Sequence, residues 1–199
     1  MPHPAFADAM RRIVTGDGAN RRSAIIIDAP PSGEIGAAGL GGLYEIWHEA
    51  LDEPLDPKHS TDRGETVPML SPARGKVKVR WFVIEPPPPG VPAEAIKTAA
   101  RERFAQFGAE HELRDQDRHP AMHQTDTLDV ICLISGEASL ILDDAETRLK
   151  PGQIVIQRGV SHAWTAHGGP ALFLAVLIDR KMARPHAGAA AKSKGRRAT

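Results

Sequence analysis

The chain has a single cysteine, Cys132, in 199 residues. No internal disulfide can form, and a reducing, cytoplasmic compartment is expected. Long apolar runs are missing too. The longest, Ala171 to Ile178, falls far short of the ~20 residues needed to span a bilayer, so no membrane helix is expected. The opening MPHPAFADAMRR lacks the basic-then-apolar order of a secretory signal. There is no nucleophile elbow, no zinc-finger spacing and no nucleotide-binding glycine loop. Residues 36–42 are rich in glycine, but without the strand-to-helix context that cradles phosphate. No segment repeats, and no βαβ rhythm appears.

Net charge is zero at pH 7, yet it is unevenly spread. Seven of the 25 basic residues and none of the 25 acids lie in residues 180–199, so the rest of the chain is acidic. An acidic body argues against nucleic acid as the main partner. The Ala/Gly/Lys/Arg tail has the composition of a solvated, disordered end. With 41% apolar residues, the chain can bury one full core with an extension, whereas two large domains would be cramped.

Read along its length, the chain punctuates itself into strands. Arg11 to Asp28 predicts a hairpin: RRIVT, then a β-branched SAIIID, joined through Gly16-Asp17-Gly18, whose glycines can supply positive φ. Ala29 to Gly42 reads as a loop, Leu43 to Ala50 as a short strand, and Asp52 to Pro72 as a proline-punctuated surface excursion. Lys76 to Glu85, KVKVRWFVIE, alternates and then becomes wholly apolar, as a strand entering a buried region does. A helix is expected over PAEAIKTAARERFAQFG, with Pro92 at its start and Gly108 past its end. Its apolar stripe is Ile96, Ala100, Phe104 and Phe107. Ala138–Leu142, Thr147–Leu149 and Ala171–Asp179 complete the expected strands. Strands at short spacing indicate an all-β sandwich or barrel.

The most informative stretch runs from His119 to His167. His123, Thr125, Thr127 and Asp129 share one parity, so in an extended chain they point to one face. Gly136 is expected to close that strand. A second strand, Gln153 to Gln157, follows a Lys150-Pro151-Gly152 turn, and His162-Ala163-Trp164 comes just after Gly159. Two histidines and a carboxylate on adjacent strands are a plausible site for Fe(II), Mn, Zn or Ni.

This stretch resembles the two-part signature of the cupin superfamily. The family's first motif runs His-x-His, three or four residues, Glu, six residues, Gly. Here His123-Gln-Thr125, Asp129 and Gly136 keep that spacing, with Thr for the second His and Asp for Glu. In the second motif, Gly152, Gly159 and His162 fit, while Gln157 stands for Pro and Ala166 for Asn. The layout from Arg118 through Trp164 is more specifically similar to small single-barrel cupins, among them oxidoreductases of natural-product and aromatic-compound metabolism.

The resemblance implies a double-stranded β-helix, or jelly-roll, barrel with N-terminal strands and one helix appended. In that division residues 1–118 extend the barrel, 119–181 form its core and 182–199 make the tail. It implies His123, Asp129 and His162 as ligands of a divalent metal. Thr125, Gln157, Arg158 and Trp164 are then candidates for the pocket wall around a small organic substrate, with an exposed turn as the alternative for Arg158 and barrel core for Trp164, and the expected assembly is a homodimer. Two functions stay open: metal-dependent enzyme, or metal-free barrel that holds a small ligand without turnover. His119 and His167 are assigned to the surface, and Cys132 to a small buried apolar position rather than a nucleophile.

Overall fold

The computed structural model describes residues 2–37, 41–58 and 60–183. It contains β1 (Arg12–Asp17), β2 (Ser23–Ala29), β3 (Glu34–Ala37), β4 (Gly41–Ala50) and β5 (Lys76–Ile84). These are followed by α1 (Ala93–Gln106), β6 (Thr127–Leu142), β7 (Glu146–Leu149), β8 (Ile154–Arg158) and β9 (His162–Asp179). All strand pairs are antiparallel.

The expected N-terminal hairpin is present as β1–β2, but it forms its own two-stranded sheet and does not extend the main one. Its turn also differs from expectation. Positive φ falls on Asn20 and Arg21, not on Gly16 or Gly18; asparagine is among the side chains that tolerate this region best. Within the expected loop after Ala29, Glu34–Ala37 pairs with β4 as an edge strand.

The main sheet runs β3-β4-β5-β9-β6-β7, with β8 also on β6. Its closure comes from two long bent strands. Residues 127–133 of β6 pair with β8 and with the second half of β9, whereas residues 137–142 pair with β7 and the first half of β9. Gly136 therefore bends one continuous strand and does not end it. The register shifts on either side of Ser135, and Gly136 has φ +87°. A Cβ there would lie 2.7 Å from the Pro170 carbonyl oxygen, so only glycine fits where β6 and β9 fold over each other. The inner faces of the two halves meet in one core that holds Phe82, Ile131, Leu133, Leu140, Trp164 and Phe173. Phe82 and Phe173 stack at 4.5 Å. This is an all-β jelly-roll barrel with one helix.

Helix α1 ends as its sequence predicts. Gly108 takes φ +66°, its N–H donates to Ala105 and that of Ala109 to Phe104, which satisfies the last carbonyls through a left-handed cap. Phe104 and Phe107 are buried and Ile96 half-buried, so the stripe faces the barrel. Isolated helices of this length are marginal in water, and this contact stabilises α1. The expected tail from residue 182 lies almost wholly outside the described residues. Among the described residues, no helix is long and apolar enough to cross a membrane.

Candidate functional site

Register decides which side chains look inward. Residues directly opposite in an antiparallel pair share a face. Lys78, Leu177, Asp129 and Gln157 form one row across β5, β9, β6 and β8, and Arg80, Ala175, Ile131 and Val155 form the next. Lys78 is 0% exposed, Arg80 2%, Asp129 3% and Gln157 2%. The interior of the barrel at this end is therefore polar.

The charges there are paired before anything else is bound. Arg80 Nη2 lies 2.9 Å from Glu45 Oε1, and Lys78 Nζ lies 2.8 Å from Glu65 Oε2. Lys78 also donates to the carbonyls of Met69 and Ser71. Burial pushes the Glu45 carboxyl up, against the pull of Arg80 and Lys78, and it pushes the Lys78 ammonium down. Pairing is incomplete, however. Among the described residues, Arg80 Nε and Nη1, Asp129 Oδ1 and both amide atoms of Gln157 have no hydrogen-bond partner. Buried polar atoms are nearly always satisfied, so these orphans mark a place built for something other than packing.

His123 and His162 are brought together by the backbone. Each N–H donates to the other's carbonyl at 2.9 Å, and their ring centroids are 4.1 Å apart. Each Nδ1 lies 2.9 Å from the carbonyl two residues earlier, Ala121 or Val160. Donation there puts the proton on Nδ1 and leaves a lone pair on Nε2. Burial holds His123 neutral, pushing it down to about 4, and lowers His162 well below the usual range, with His123 adding to the effect. Phe104 of α1 sets its ring against His123, with centroids 4.9 Å apart.

An inner cavity of about 140 Å³ joins these parts, lined by Arg80, His123, Thr125, Asp129, His162 and Trp164 among apolar side chains. A larger, mostly apolar cavity of about 390 Å³ lies between α1, the Pro86–Pro88 segment and the barrel, and shares Phe82, Phe104, Phe107 and Trp164 with the first. Thr125 and Thr127 bond through their hydroxyls at 2.6 Å. Thr127 in turn bonds Asp129, whose carboxyl burial raises to about 6 despite Thr127 and Arg80.

The expected site residues divide accordingly. His123, His162, Thr125, Asp129 and Trp164 line one cavity. Among the described residues, no three His, Cys, Asp or Glu side chains are grouped as they would be around a metal ion. Asp129 bonds Thr127, and Arg80 acts on it only as a nearby cation. The two imidazoles alone have the geometry of ligands, because a second-shell bond at Nδ1 orients each Nε2. Gln157 sits in the polar row but lines neither cavity, and Arg158, its neighbour of opposite parity, is exposed on the outside.

Arg80, Lys78 and Glu45 carry no signal in the cupin motifs, although cationic residues inside a strand that turns apolar were a usable one. His119, assigned to the surface, lines the outer cavity, and burial lowers its pKa. Cys132 is half-buried and faces outward.

No family model matches the chain. Over 44 residues it is 43% identical to "Phomopsin biosynthesis cluster protein C'" and, equally, to "Phomopsin biosynthesis cluster protein D" of Diaporthe leptostromiformis. That stretch is 22% of this chain and 23% of each relative, so the match spans about a quarter of the relatives' length. Among solved structures, a cupin-2 domain protein from Shewanella frigidimarina is similar at 15% identity, over 52% of this chain and 71% of that one, with a TM-score of 0.31. The DMSP lyase DddQ from Ruegeria pomeroyi is similar at 17% identity, over 51% and 38%, with a TM-score of 0.32. The chain's own bent strands bring the two motif halves together at His123 and His162.

Proposed function

We propose that the protein is a small-molecule barrel, taking a compact and largely apolar organic molecule with one polar end. The observation that carries this reading is a single cavity in which apolar walls and two neutral imidazoles meet, with Arg80 and Asp129 among its lining residues. An apolar body would be buried against Phe82, Phe107 and Trp164, at about 25 cal/mol per Å² removed from water. A hydroxyl or carboxyl at its tip could accept from Arg80 and share a proton with Asp129. The free Nε2 atoms can accept hydrogen bonds from a bound hydroxyl or acid, so orienting such a group is the chemistry these residues can supply themselves. The short match to two biosynthesis-cluster proteins supports a natural-product setting.

The anchored imidazoles favour a second reading, in which His123 and His162 hold Fe, Mn, Zn or Ni as a Lewis-acid or oxygen-activating centre. Catalytic sites of this kind use about three protein ligands, and Asp129 is not grouped with the pair, so this reading stands second.

The test titrates the untagged chain with indole, phenol and benzoate by calorimetry and tryptophan fluorescence, with elemental analysis alongside. Saturable binding that is lost in Ala175→Phe, with the circular dichroism spectrum kept, is the expected result. If none of the three probes binds, the small-molecule reading falls. Stoichiometric metal that His162→Ala removes would put the second reading first.

A further inference from the structure

The two cavities differ in size and in kind, and they are continuous at a common wall: Phe82, Ile84, Phe104, Phe107, Ala121 and Trp164 line both. The inner one, at about 140 Å³, has room for a single ring, since an apolar cavity of ~150 Å³ admits benzene. The outer one, at about 390 Å³, is as large as ordinary ligand pockets of ~300–1,000 Å³. A molecule whose ring fills the inner cavity therefore has most of the available room beyond that ring.

What lines the outer room is hydrocarbon. Pro86–Pro88 and Val91 form one side of it, and Ala95, Ile96 and Ala99 of α1 form another. Where Phe104 and Phe107 fill the space between helix and barrel, the short side chains of Ala95 and Ala99 do not reach across it. The ionisable side chains of this cavity are already engaged. Glu85 Oε1 lies 2.9 Å from His3 Nε2, Arg103 donates to the carbonyls of Ile35 and Gly41, and His119 accepts at Nδ1 from the Ala121 N–H. The inner cavity is the reverse. His123 and His162 direct Nδ1 to carbonyls and keep their Nε2 lone pairs for another donor. A polar group placed in the outer cavity would give up water for little in return, so a bound molecule is oriented with its polar end inward.

We infer that the ligand of this barrel is a ring-sized head carrying a hydrocarbon chain, with the head in the inner cavity and the chain between α1 and the Pro86–Pro88 segment. The inference rests on the small-molecule reading above, whose compact molecule becomes the head. The chemical class is a phenol or similar ring alcohol bearing an alkyl or alkenyl group opposite its hydroxyl. The hydroxyl donates to an imidazole Nε2, the ring lies among Phe82, Phe104 and Trp164, and the chain leads outward. Each methylene that moves from water into such a cavity tightens binding about 4-fold. Ala95 and Ala99 line the outer cavity and not the inner one, so a larger side chain at either takes the room of the chain and leaves that of the head.

The test is calorimetric titration of the full chain with phenol, 4-ethylphenol, 4-butylphenol and 4-hexylphenol, repeated in Ala99→Phe and Ala95→Phe. The expected result is one site per chain, with affinity rising about 15-fold for each two carbons added. Both variants should bind phenol as the wild type does, which also shows the barrel intact, and should lose the rise. If phenol binds and 4-hexylphenol binds no tighter, this inference falls and the small-molecule reading stands. If the whole series fails to bind, this inference falls, and the small-molecule reading falls with it only when indole and benzoate fail as well. A rise that persists in both variants puts the chain elsewhere, such as on the outer face of the sheet where Ile154 and Ile156 are exposed, and overturns the inference too.

Discussion

Two stretches of one interior differ sharply. Around Phe82 and Phe173 the barrel is filled with stacked rings and closed by the phenylalanines of α1. Two residues back along β5, Arg80 and Lys78 replace the rings, held by Glu45 and Glu65. The first stretch is specified by shape, because dispersion and burial reward any close apolar fit. The second is specified by partners, since a buried charge must find its counter-charge or destabilise the fold. The outside follows suit: where the interior is charged, the exterior is valine and isoleucine.

The contrast is broken most severely at Arg80. Arg80→Met should destabilise by about 3–5 kcal/mol, because Glu45 is left buried and uncompensated. The double variant E45M/R80M should recover much of that loss, as urea titration of the two variants would show. If the single variant were as stable as the double, the two charges would not be coupled. At the apolar end, Phe104→Ala should cost about 3 kcal/mol and leave pairing at Arg80 untouched. A cost no larger than that of an exposed substitution would detach α1 from the core.

Acid should separate the groups by sign. His123 and His162 have folded pKa values below the unfolded value, so the unfolded chain takes up their protons first. Their contribution is present above about 6.5 and is lost as pH falls toward 4. Asp129 works oppositely. Its folded pKa is raised to about 6, so the penalty of its buried charge is relieved as pH falls through that value. Stability should therefore decline between pH 6.5 and 4 as measured by denaturant midpoints, and Asp129→Asn should steepen the decline. A midpoint independent of pH in the wild type would count against neutral buried histidines. The smallest effect is expected at Arg158. Arg158→Ala should change stability by less than about 0.5 kcal/mol and leave benzoate titration unaltered, whereas a lost titration would bring Arg158 into the pocket.

Much of the barrel was legible because alternation and turn chemistry are local. KVKVRWFVIE and the helix with its Gly108 cap stand where their residues place them. The motif spacing also led to His123 and His162, which the backbone pairs directly. Alternation says that two faces differ, but it does not say which is inside. On β5 the expectation that charge faces water is inverted, because Glu45 and Glu65 arrive from distant segments to neutralise it. Likewise nothing local tells Asp129 to bond Thr127. The same limit applies at Gly136: a glycine can stop a strand or bend it, and only the approach of Pro170 and Ala171 decides.

The way β9 is shared sets a timetable for folding. This one strand pairs along its length with β6 and, through residues 171–178, with β5, its partner almost a hundred positions earlier in the chain. The β6–β7 hairpin can close locally, but the cavity has no floor until the ends of that long loop meet. Closing so long a loop carries an entropic cost before any contact repays it, and barrels dominated by such pairings fold in roughly milliseconds to seconds. While β5 waits for β9, its KVKV segment is an unpaired edge in the nascent chain. Lys78, which later serves the interior, and Lys76 then also act as charges that discourage a neighbouring chain from adding itself to that edge.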